Sequence, residues 1–295
     1  MPLYRDIAER LLERVATGEL APGATMPSVR AAAAELGTTP ATVGRAYAEL
    51  ARLGVIDGAP RRAARVTRDA ATIARRALHG GARLRLAGSD DPLLDRIAGD
   101  AERIGARGSL GGLAALWQGR ADAATLHLRH RDGRYNDPFV AGVLAGRDPV
   151  LVHLWRREQG IVLPAGNPRG ITGVHDLAAC SVALRAPGTG TRVLAERLLR
   201  EAGVATERVR GPEVATHLEA SLAVATGLAD AAIGLRATAD ALGLEFVPLA
   251  WEPYELALPG EAVGLAADLL AAVGSAPALP GFDLAGAGEV RRISP

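Results

Sequence analysis

Apolar positions recur at every fourth residue where the chain opens: Leu3, Ile7, Leu11 and Val15, with Arg5, Asp6, Glu9, Arg10, Glu13 and Arg14 between them. That spacing predicts an amphipathic helix with one buried stripe, stopped by Gly18. After the turn-rich stretch Gly18 to Pro27, Ser28 stands as N-cap of a short second helix, Val29 to Leu36, closed by Gly37. Thr38 and Thr39 are cap candidates for a third helix, whose stripe is Val43, Tyr47, Leu50 and Leu53 and whose stop is Gly54. Val55 and Ile56 open a strand that turns at Asp57-Gly58 and returns through Ala64 to Thr67. Three helices and a ribbon predict a winged helix-turn-helix over residues 1–68.

Residues 69–82 read as a connecting helix with a hinge at Gly80-Gly81. From 83 to 295 the pattern changes to alternation. Strand-like runs fall at Leu84 to Ala87, Ala121 to Leu128, Val150 to Trp155, Gly160 to Pro164, Ser181 to Leu184, Ala229 to Gly234 and Phe246 to Leu249, and helix-like segments at Leu93 to Ile104 and Thr191 to Ala202. Such alternation predicts an α/β domain with mainly parallel strands. Ligands of such sheets sit outside the carboxyl ends of the strands, which directs attention to three loops. They are Gly88-Ser89-Asp90-Asp91, then Gly108-Ser109-Leu110-Gly111-Gly112 ahead of a helix from about Leu113, and Arg185-Ala186-Pro187-Gly188-Thr189-Gly190-Thr191-Arg192. Each sets glycines and hydroxyls at a helix N-terminus, where backbone amides and the helix dipole suit an anion. Taken singly, such a turn is most often only a cap; three at strand ends of one domain point to a cleft. The candidate lining is Ser89, Ser109, Gly111, Gly188, Thr189, Gly190 and Thr191, with charge from Arg185 and Arg192 and a further polar group from Tyr135. Arg192, in a first helical turn, equally suits a structural pair.

The remaining polar residues read as structural. His127 fits a hydrogen-bonded core or rim histidine; His217, near Glu219, either lines the cleft or, as the commoner reading, caps or faces solvent on its helix. Asp122 and Asp230 share a repeated pattern, Gly-Arg-Ala-Asp-Ala-Ala and Gly-Leu-Ala-Asp-Ala-Ala, that marks the same helix-to-strand turn in two lobes.

Composition narrows the chemistry. The chain carries 34 basic against 33 acidic side chains, and every basic one is arginine. Without lysine there is no Schiff base and no Walker-type phosphate loop. With 48% apolar but only 3% aromatic residues, the cores must be built from Ala, Val, Leu and Ile. Cys180, alone, allows neither an internal disulfide nor a cysteine metal cage, which fits a reducing cytoplasm. Met1 to Leu20 is charged throughout, unlike a signal peptide, and the apolar runs fall short of the roughly 20 residues of a membrane span. The large domain shows no nucleophile–base–orienter set and no metal constellation, so an enzyme is disfavoured and no cofactor is required. From Gly58 to Arg85, eight arginines (Arg61, Arg62, Arg65, Arg68, Arg75, Arg76, Arg83 and Arg85) face Asp69 alone, a distribution suited to nucleic-acid phosphates beside a helix-turn-helix.

About the first 67 residues resemble the GntR family of bacterial transcription regulators. The resemblance is carried by Pro2-Leu3-Tyr4, Gly18-Glu19-Leu20-Ala21-Pro22-Gly23, Met26-Pro27-Ser28-Val29-Arg30 and Leu36-Gly37-Thr38-Thr39-Pro40-Ala41-Thr42-Val43. It implies a third helix in the major groove and a wing at the minor groove. Thr39, Thr42, Gly44 and Arg45 would then lie near bases or phosphates, Ser28 and Arg30 would hold the DNA backbone, and Arg61, Arg62 and Arg65 would serve in the wing. Small and hydroxyl residues at a helix start let backbone amides reach phosphate, while arginine pairs with guanine. Two departures stand out: Val29 replaces the usual acidic residue, and Ala59-Pro60-Arg61-Arg62-Ala63-Ala64-Arg65 replaces a glycine-bearing wing tip.

Residues 83 to 259 resemble the type II periplasmic-binding-protein-like domain of some cytoplasmic regulators and molybdopterin-biosynthesis proteins. Besides the three loops, Gly133-Arg134-Tyr135-Asn136, Arg157-Glu158-Gln159-Gly160 and Gly166-Asn167-Pro168-Arg169-Gly170 carry the likeness. It implies a bilobal domain that closes on a small oxyanion such as molybdate or tungstate, or on a molybdenum-cofactor-related compound. The alternatives are an organic anion, or a cofactor-biosynthesis enzyme. An oxyanion site is tiny, whereas an organic ligand needs about 300 Å³ or more. Asp90 stands where the family commonly has histidine, and a carboxylate beside Asp91 disfavours an anion near the first loop. Together the two resemblances imply a regulator of double-stranded operator DNA, acting as a homodimer and switched by an anionic effector.

Overall fold

The stripe Ile7, Leu11 and Val15 is buried along α1 (Tyr4–Ala16) of the computed structural model, which describes residues 4–58, 63–67, 70–78 and 83–293. Helix α2 (Val29–Glu35) starts where the Ser28 side chain accepts the Ala31 N–H, and α3 (Pro40–Leu53) where Thr39 accepts that of Thr42. Strands β1 (Ile56–Asp57) and β2 (Arg65–Val66) pair antiparallel as the base of the ribbon. The Tyr47 hydroxyl donates to the Pro27 carbonyl (3.0 Å), tying the entry of α2 to α3. Helix α4 (Ala70–Leu78) shares a core with α1, its Ala70 and Ala74 buried with Ile7, Leu11, Leu50, Ile56 and Val66. The expected Gly80-Gly81 hinge lies outside the described residues. The chain divides into two units, Met1–Arg83 and Leu84–Pro295.

The second unit runs β3 (Arg85–Gly88), α5 (Pro92–Ile97), β4 (Glu102–Arg107), α6 (Gly108–Trp117), β5 (Ala123–Leu126), α7 (Asp137–Val143), β6 (Pro149–Leu163), β7 (Val182–Arg185), α8 (Gly190–Glu201) and β8 (Glu213–Val214). It continues with α9 (His217–Ala225), β9 (Ala231–Leu235), α10 (Arg236–Asp240), β10 (Glu245–Pro259), α11 (Ala267–Val273), β11 (Phe282–Asp283) and β12 (Val290–Arg292). The strands line up in the order β4-β3-β5-β10-β6-β9-β7-β8, with β11 and β12 added on β6. Strands β3, β4 and β5 are parallel in a first lobe, and β7, β8 and β9 in a second.

Between the lobes run β6 and β10, each 15 residues long and antiparallel to one another from Glu245↔Leu163 to Pro259↔Pro149. The end of β10 pairs with β5, and the end of β6 pairs with β9. Each long strand thus belongs to both lobes, and the pair forms a two-stranded hinge. The sheet is therefore mixed at its centre, where the sequence predicts mainly parallel strands: a chain that leaves one lobe and returns must cross it in both directions. The runs Val150 to Trp155 and Gly160 to Pro164 are one strand, interrupted in hydropathy by Arg156 to Gln159, where β6 passes the cleft. The expected helix from Leu93 to Ile104 resolves into α5 and the outermost strand β4. Asp122 accepts the Arg85 N–H (2.9 Å) ahead of β3, and Asp230 accepts the Ser181 N–H (2.8 Å) ahead of β7. The repeated motif therefore does the same structural task in each lobe.

Candidate functional site

In the first unit, the Ser28 and Thr39 hydroxyls are engaged as caps, with Ser28 Oγ 3.2 Å from the Ala31 amide and Thr39 Oγ1 3.2 Å from that of Thr42 and 2.8 Å from Thr42 Oγ1. Arg30 and Arg45 are exposed, Thr42 and Gly44 partly so. Arg65 is exposed and donates to the Gly23 carbonyl (3.2 Å), bracing the loop before α2 against the ribbon. Arg61 and Arg62 lie outside the described residues.

In the second unit, strand ends and helix starts of both lobes converge on a buried polar cluster. Asp91, after β3, caps α5 through the Leu93 and Leu94 amides (2.9 and 3.1 Å) and takes an N–H from Arg157 of β6 at 2.8 Å. The Arg157 guanidinium lies 4.2 Å above the Tyr254 ring, and the Tyr254 hydroxyl donates to the Ser89 carbonyl (2.6 Å). Asp90 faces the other lobe: it pairs with Arg185 at the end of β7 and accepts the His217 N–H at the start of α9 (2.9 Å). Arg185 also donates to the Ala215 carbonyl (2.7 Å). Glu252 of β10 accepts from Gln159 of β6 and, at 3.1 Å, from the Tyr135 hydroxyl, and lies 2.9 Å from His127 Nδ1. Arg157 is 0% exposed and Arg185 2%, so neither guanidinium is solvated.

Several polar atoms of this cluster have no hydrogen-bond partner among the described residues: Arg185 Nε and Nη1, Arg157 Nε, Thr191 Oγ1, both ring nitrogens of His217, His127 Nε2 and Gln159 Oε1. Buried polar groups are ordinarily paired, so their concentration here marks a place built for something polar. Burial, reinforced by Arg157 and opposed by Glu252, lowers the His127 pKa to about 4. Burial and then Arg185 hold His217 well below its ordinary value. Both imidazoles are thus neutral near pH 7. Burial pushes the Asp90 carboxyl up, but the Arg185 guanidinium and the hydrogen bond from the His217 backbone N–H outweigh it and keep the group well below the usual carboxylate range.

The structure brings Ser89, Ser109, Arg185, Thr189, Gly190 and Thr191 together and buries each of them. Ser89 Oγ lies 3.5 Å from Arg157 Nη2, and Ser109 Oγ accepts the His127 N–H (3.3 Å). Thr189 is an N-cap, donating to the Ala186 carbonyl (2.8 Å) and accepting the Arg192 N–H (3.3 Å). Arg192 makes the structural pair that a first-turn arginine suits, reaching Glu196 (2.6 Å), and also donates to the Arg185 carbonyl (3.3 Å). Tyr135 is partly buried and faces Glu252. Gly111 lies within the second turn of α6, which starts at Gly108 instead of near Leu113. A Cβ at Gly108 (φ +71°) would lie 2.8 Å from Thr189, and one at Gly190 would lie 2.5 Å from the His127 ring. Glycine is what lets α6 and α8 meet across the cleft, where the Gly188 carbonyl accepts the Leu110 N–H (3.1 Å). The lobes are closed, and a cavity of about 190 Å³ remains at one rim, lined by Gly88, Asp90, Arg103 and Gly108 from the first lobe and Ala215, Thr216 and Glu219 from the second.

Arg157, Gln159 and Glu252 escape a reading of loops because they sit within the hinge strands; their signal is the charged break in an otherwise apolar strand. His217 is buried, contrary to a solvent-facing position, because α9 begins against Asp90. Among the described residues, no group of three or more His, Cys, Asp or Glu is placed to hold a metal ion, and no helix is long and apolar enough to cross a membrane.

Residues 3–66 match the bacterial regulatory proteins of the gntR family, and residues 99–270 match the PBP superfamily domain. The chain is 35% identical over 155 residues to the uncharacterized protein YvgK of Bacillus subtilis, covering 51% of this chain and 50% of that protein. It is 39% identical over 56 residues to the uncharacterized HTH-type transcriptional regulator YhcF of the same organism, covering 19% and 46%. The chain thus spans about half the length of these curated relatives. The regulatory domain of Synechocystis CcmR, solved in complex with 2-PG, is similar at 13% identity and a TM-score of 0.47, covering 66% of this chain and 97% of that one. With one match spanning more than half of its length and the other its first helices and ribbon, the chain belongs to the PBP superfamily and carries a gntR-family helix-turn-helix ahead of that domain.

Proposed function

We propose that this chain is a ligand-responsive transcription regulator and not an enzyme: its N-terminal domain binds double-stranded operator DNA, and its C-terminal domain closes on a small organic anion. The observation that carries the reading is the set of buried, unpartnered donors on Arg157, Arg185, Thr191 and His217 at the meeting of two lobes. Helix starts and guanidiniums shielded from water bind anionic oxygens strongly.

The cavity of about 190 Å³ is smaller than the volume given above for an organic ligand, so the choice rests on charge and needs some opening of the lobes: the charges favour a small organic anion over molybdate or tungstate. Asp90 and Asp91 already neutralise Arg185 and Arg157, Glu252 is held by the uncharged donors of Gln159, Tyr135 and His127, and three carboxylates against two guanidiniums leave one net negative charge. A tetrahedral dianion would add two more in a desolvated place. A monoanion imposes less repulsion and can displace Asp90 from Arg185. DNA contact is assigned to Ser28, Arg30, Thr39, Thr42, Gly44 and Arg45, with wing support from Arg61, Arg62 and Arg65. In a homodimer, closure of the sensor would change how two recognition helices meet half-sites about 34–36 Å apart.

The test is calorimetry of the full chain with a panel of small carboxylic acids, with molybdate, tungstate, sulfate and phosphate alongside, followed by selection of bound duplexes from a random-sequence pool with and without the best binder. Saturable heat from an organic acid and an enriched DNA motif are expected. Heat from molybdate or tungstate alone would reverse the choice of ligand, and an unenriched pool would overturn the regulator.

A further inference from the structure

We infer that the cleft selects a ligand that donates hydrogen bonds as well as accepting them: a small carboxylic acid bearing a hydroxyl or amino group beside its acid function. The inference rests on the small-anion reading above and goes beyond it, because it follows from acceptors and not from the donors.

Glu252 is the source. Its carboxylate is an acceptor only, so whichever atoms face it must be donors. Gln159 turns its Nε2 to Oε2 of Glu252, since the reverse orientation would set oxygen against oxygen, and this leaves Gln159 Oε1 free. His127 places Nδ1 2.9 Å from the same oxygen and 3.2 Å from Gln159 Nε2; the contact with the carboxylate is the shorter and charge-assisted one, while Gln159 Nε2 is already spent on Glu252, which favours the Nδ1–H tautomer. In the neutral ring the other nitrogen, Nε2, is then an acceptor, and it too is buried without a partner. The Tyr135 hydroxyl donates to Oε1 of Glu252 at 3.1 Å, so both carboxylate oxygens already have donors from the protein. One carboxylate thereby sets two neighbouring side chains, both 1% exposed or less, as acceptors of fixed orientation.

These acceptors lie beside the donors. The Nε2 edge of His127 faces Gly190, which opens α8, and Thr191 with its unpartnered hydroxyl follows it. Arg185 ends the strand leading into the same helix, and Gln159 Nε2 is 3.2 Å from His127 Nδ1. Molybdate, tungstate and sulfate have only acceptor oxygens and would leave Gln159 Oε1 and His127 Nε2 unmatched. A 2-hydroxy or 2-amino acid offers its carboxylate to Arg185 and Thr191 and its hydroxyl or amine to the acceptor pair. Sites built to bind such a group reject the analogue lacking it by large factors, because the buried partner is left unsatisfied.

The experiment compares matched acids on the full chain by calorimetry at pH 7.5: propionate with lactate and alanine, succinate with malate and aspartate, and sulfate with phosphate. In at least one set, the donor-bearing member is expected to bind about 100-fold tighter or more. Gln159→Met and His127→Phe, checked for cooperative thermal unfolding, should bring that preference to within about threefold. Long-range proton–nitrogen NMR of the free protein should place His127 Nε2 in the unprotonated range whether or not either variant folds. A protonated Nε2, a donor-free member binding as tightly as its partner in every set, or a preference that survives both substitutions would overturn the inference while leaving an anion site standing. Absence of binding by every acid and oxyanion would overturn the anion reading and this inference with it.

Discussion

Thr191 and His127 behave differently although both are buried with an unpartnered atom. The Thr191 hydroxyl has no partner among the described residues, so its burial costs free energy that a bound ligand would recover. Thr191→Val keeps the shape and removes the group. Melting temperature should hold or rise, while effector affinity in calorimetry falls about tenfold or more, the effect of about 1.4 kcal/mol. An unchanged affinity would remove Thr191 from the site. For His127, the folded-state pKa of about 4 lies below the ordinary 6.5. As pH falls between these values the unfolded chain takes up the proton first, so stability is full above about pH 6.5 and declines toward pH 4, by about 3 kcal/mol from this group alone. His217 is shifted in the same direction and adds to the slope, whereas the lowered Asp90 acts only below the ordinary carboxylate range. Urea unfolding of the full chain at pH 7 and pH 5 should show the loss, and His127→Phe should reduce it.

Among the elements, α3 and the hinge are those to which the proposed reading assigns DNA contact and effector binding. Helix α3 is capped by Thr39, starts on Pro40, and buries Val43, Ala46 and Leu50 while presenting Arg45 to solvent. Arg45→Ala should therefore leave folding and effector binding unchanged but weaken specific duplex binding by about 1–3 kcal/mol, read by fluorescence anisotropy against the selected operator. Equal affinity for specific and scrambled duplexes in both proteins would remove α3 from base recognition. In the hinge, the antiparallel pairing of β6 and β10 is continuous across both lobes except at shifts near Ala250 and Tyr254, on either side of Glu252. The long strands thus join the two lobes and carry between those shifts the residue that orients His127 and Gln159.

At the scale of the whole sensor, closure is held partly by Asp90, which spans the cleft from the first lobe to Arg185 and the His217 amide of the second. In the proposed reading, Asp90 thereby occupies the arginine that an incoming carboxylate would need. Asp90→Asn should lower the melting temperature of the free chain and raise its affinity for small acids about tenfold, since the competing charge is gone. Weaker acid binding by a folded variant would show that Asp90 supports the ligand instead of competing with it. A ligand that favours one arrangement of the lobes shifts the DNA-binding equilibrium only by its differential affinity, typically about 1–3 kcal/mol.

The division of labour between sequence and fold follows from the range of the interactions. The winged helix was legible because its cues are local: the four-residue stripe of α1, caps at Ser28 and Thr39, and the turn after Asp57 each act within a few residues. The helix start at Thr191 was legible for the same reason, and so was the shared turn at Asp122 and Asp230, whereas α6 starts at Gly108, a turn earlier than the glycine-rich run suggests. The hinge was not, because a charged break such as Arg156 to Gln159 reads locally as the end of a strand and only pairing with β10 makes it continuous. Nor could spacing show that Asp90 meets Arg185, 95 residues away, or that Glu252 fixes His127 from 125 residues away. Sequence alone determined two domains, a lysine-free arginine chemistry and the hydroxyls at the helix starts. Tertiary structure alone decided which charges cancel and which polar atoms stay unpaired, because both depend on groups that meet only when the two lobes close.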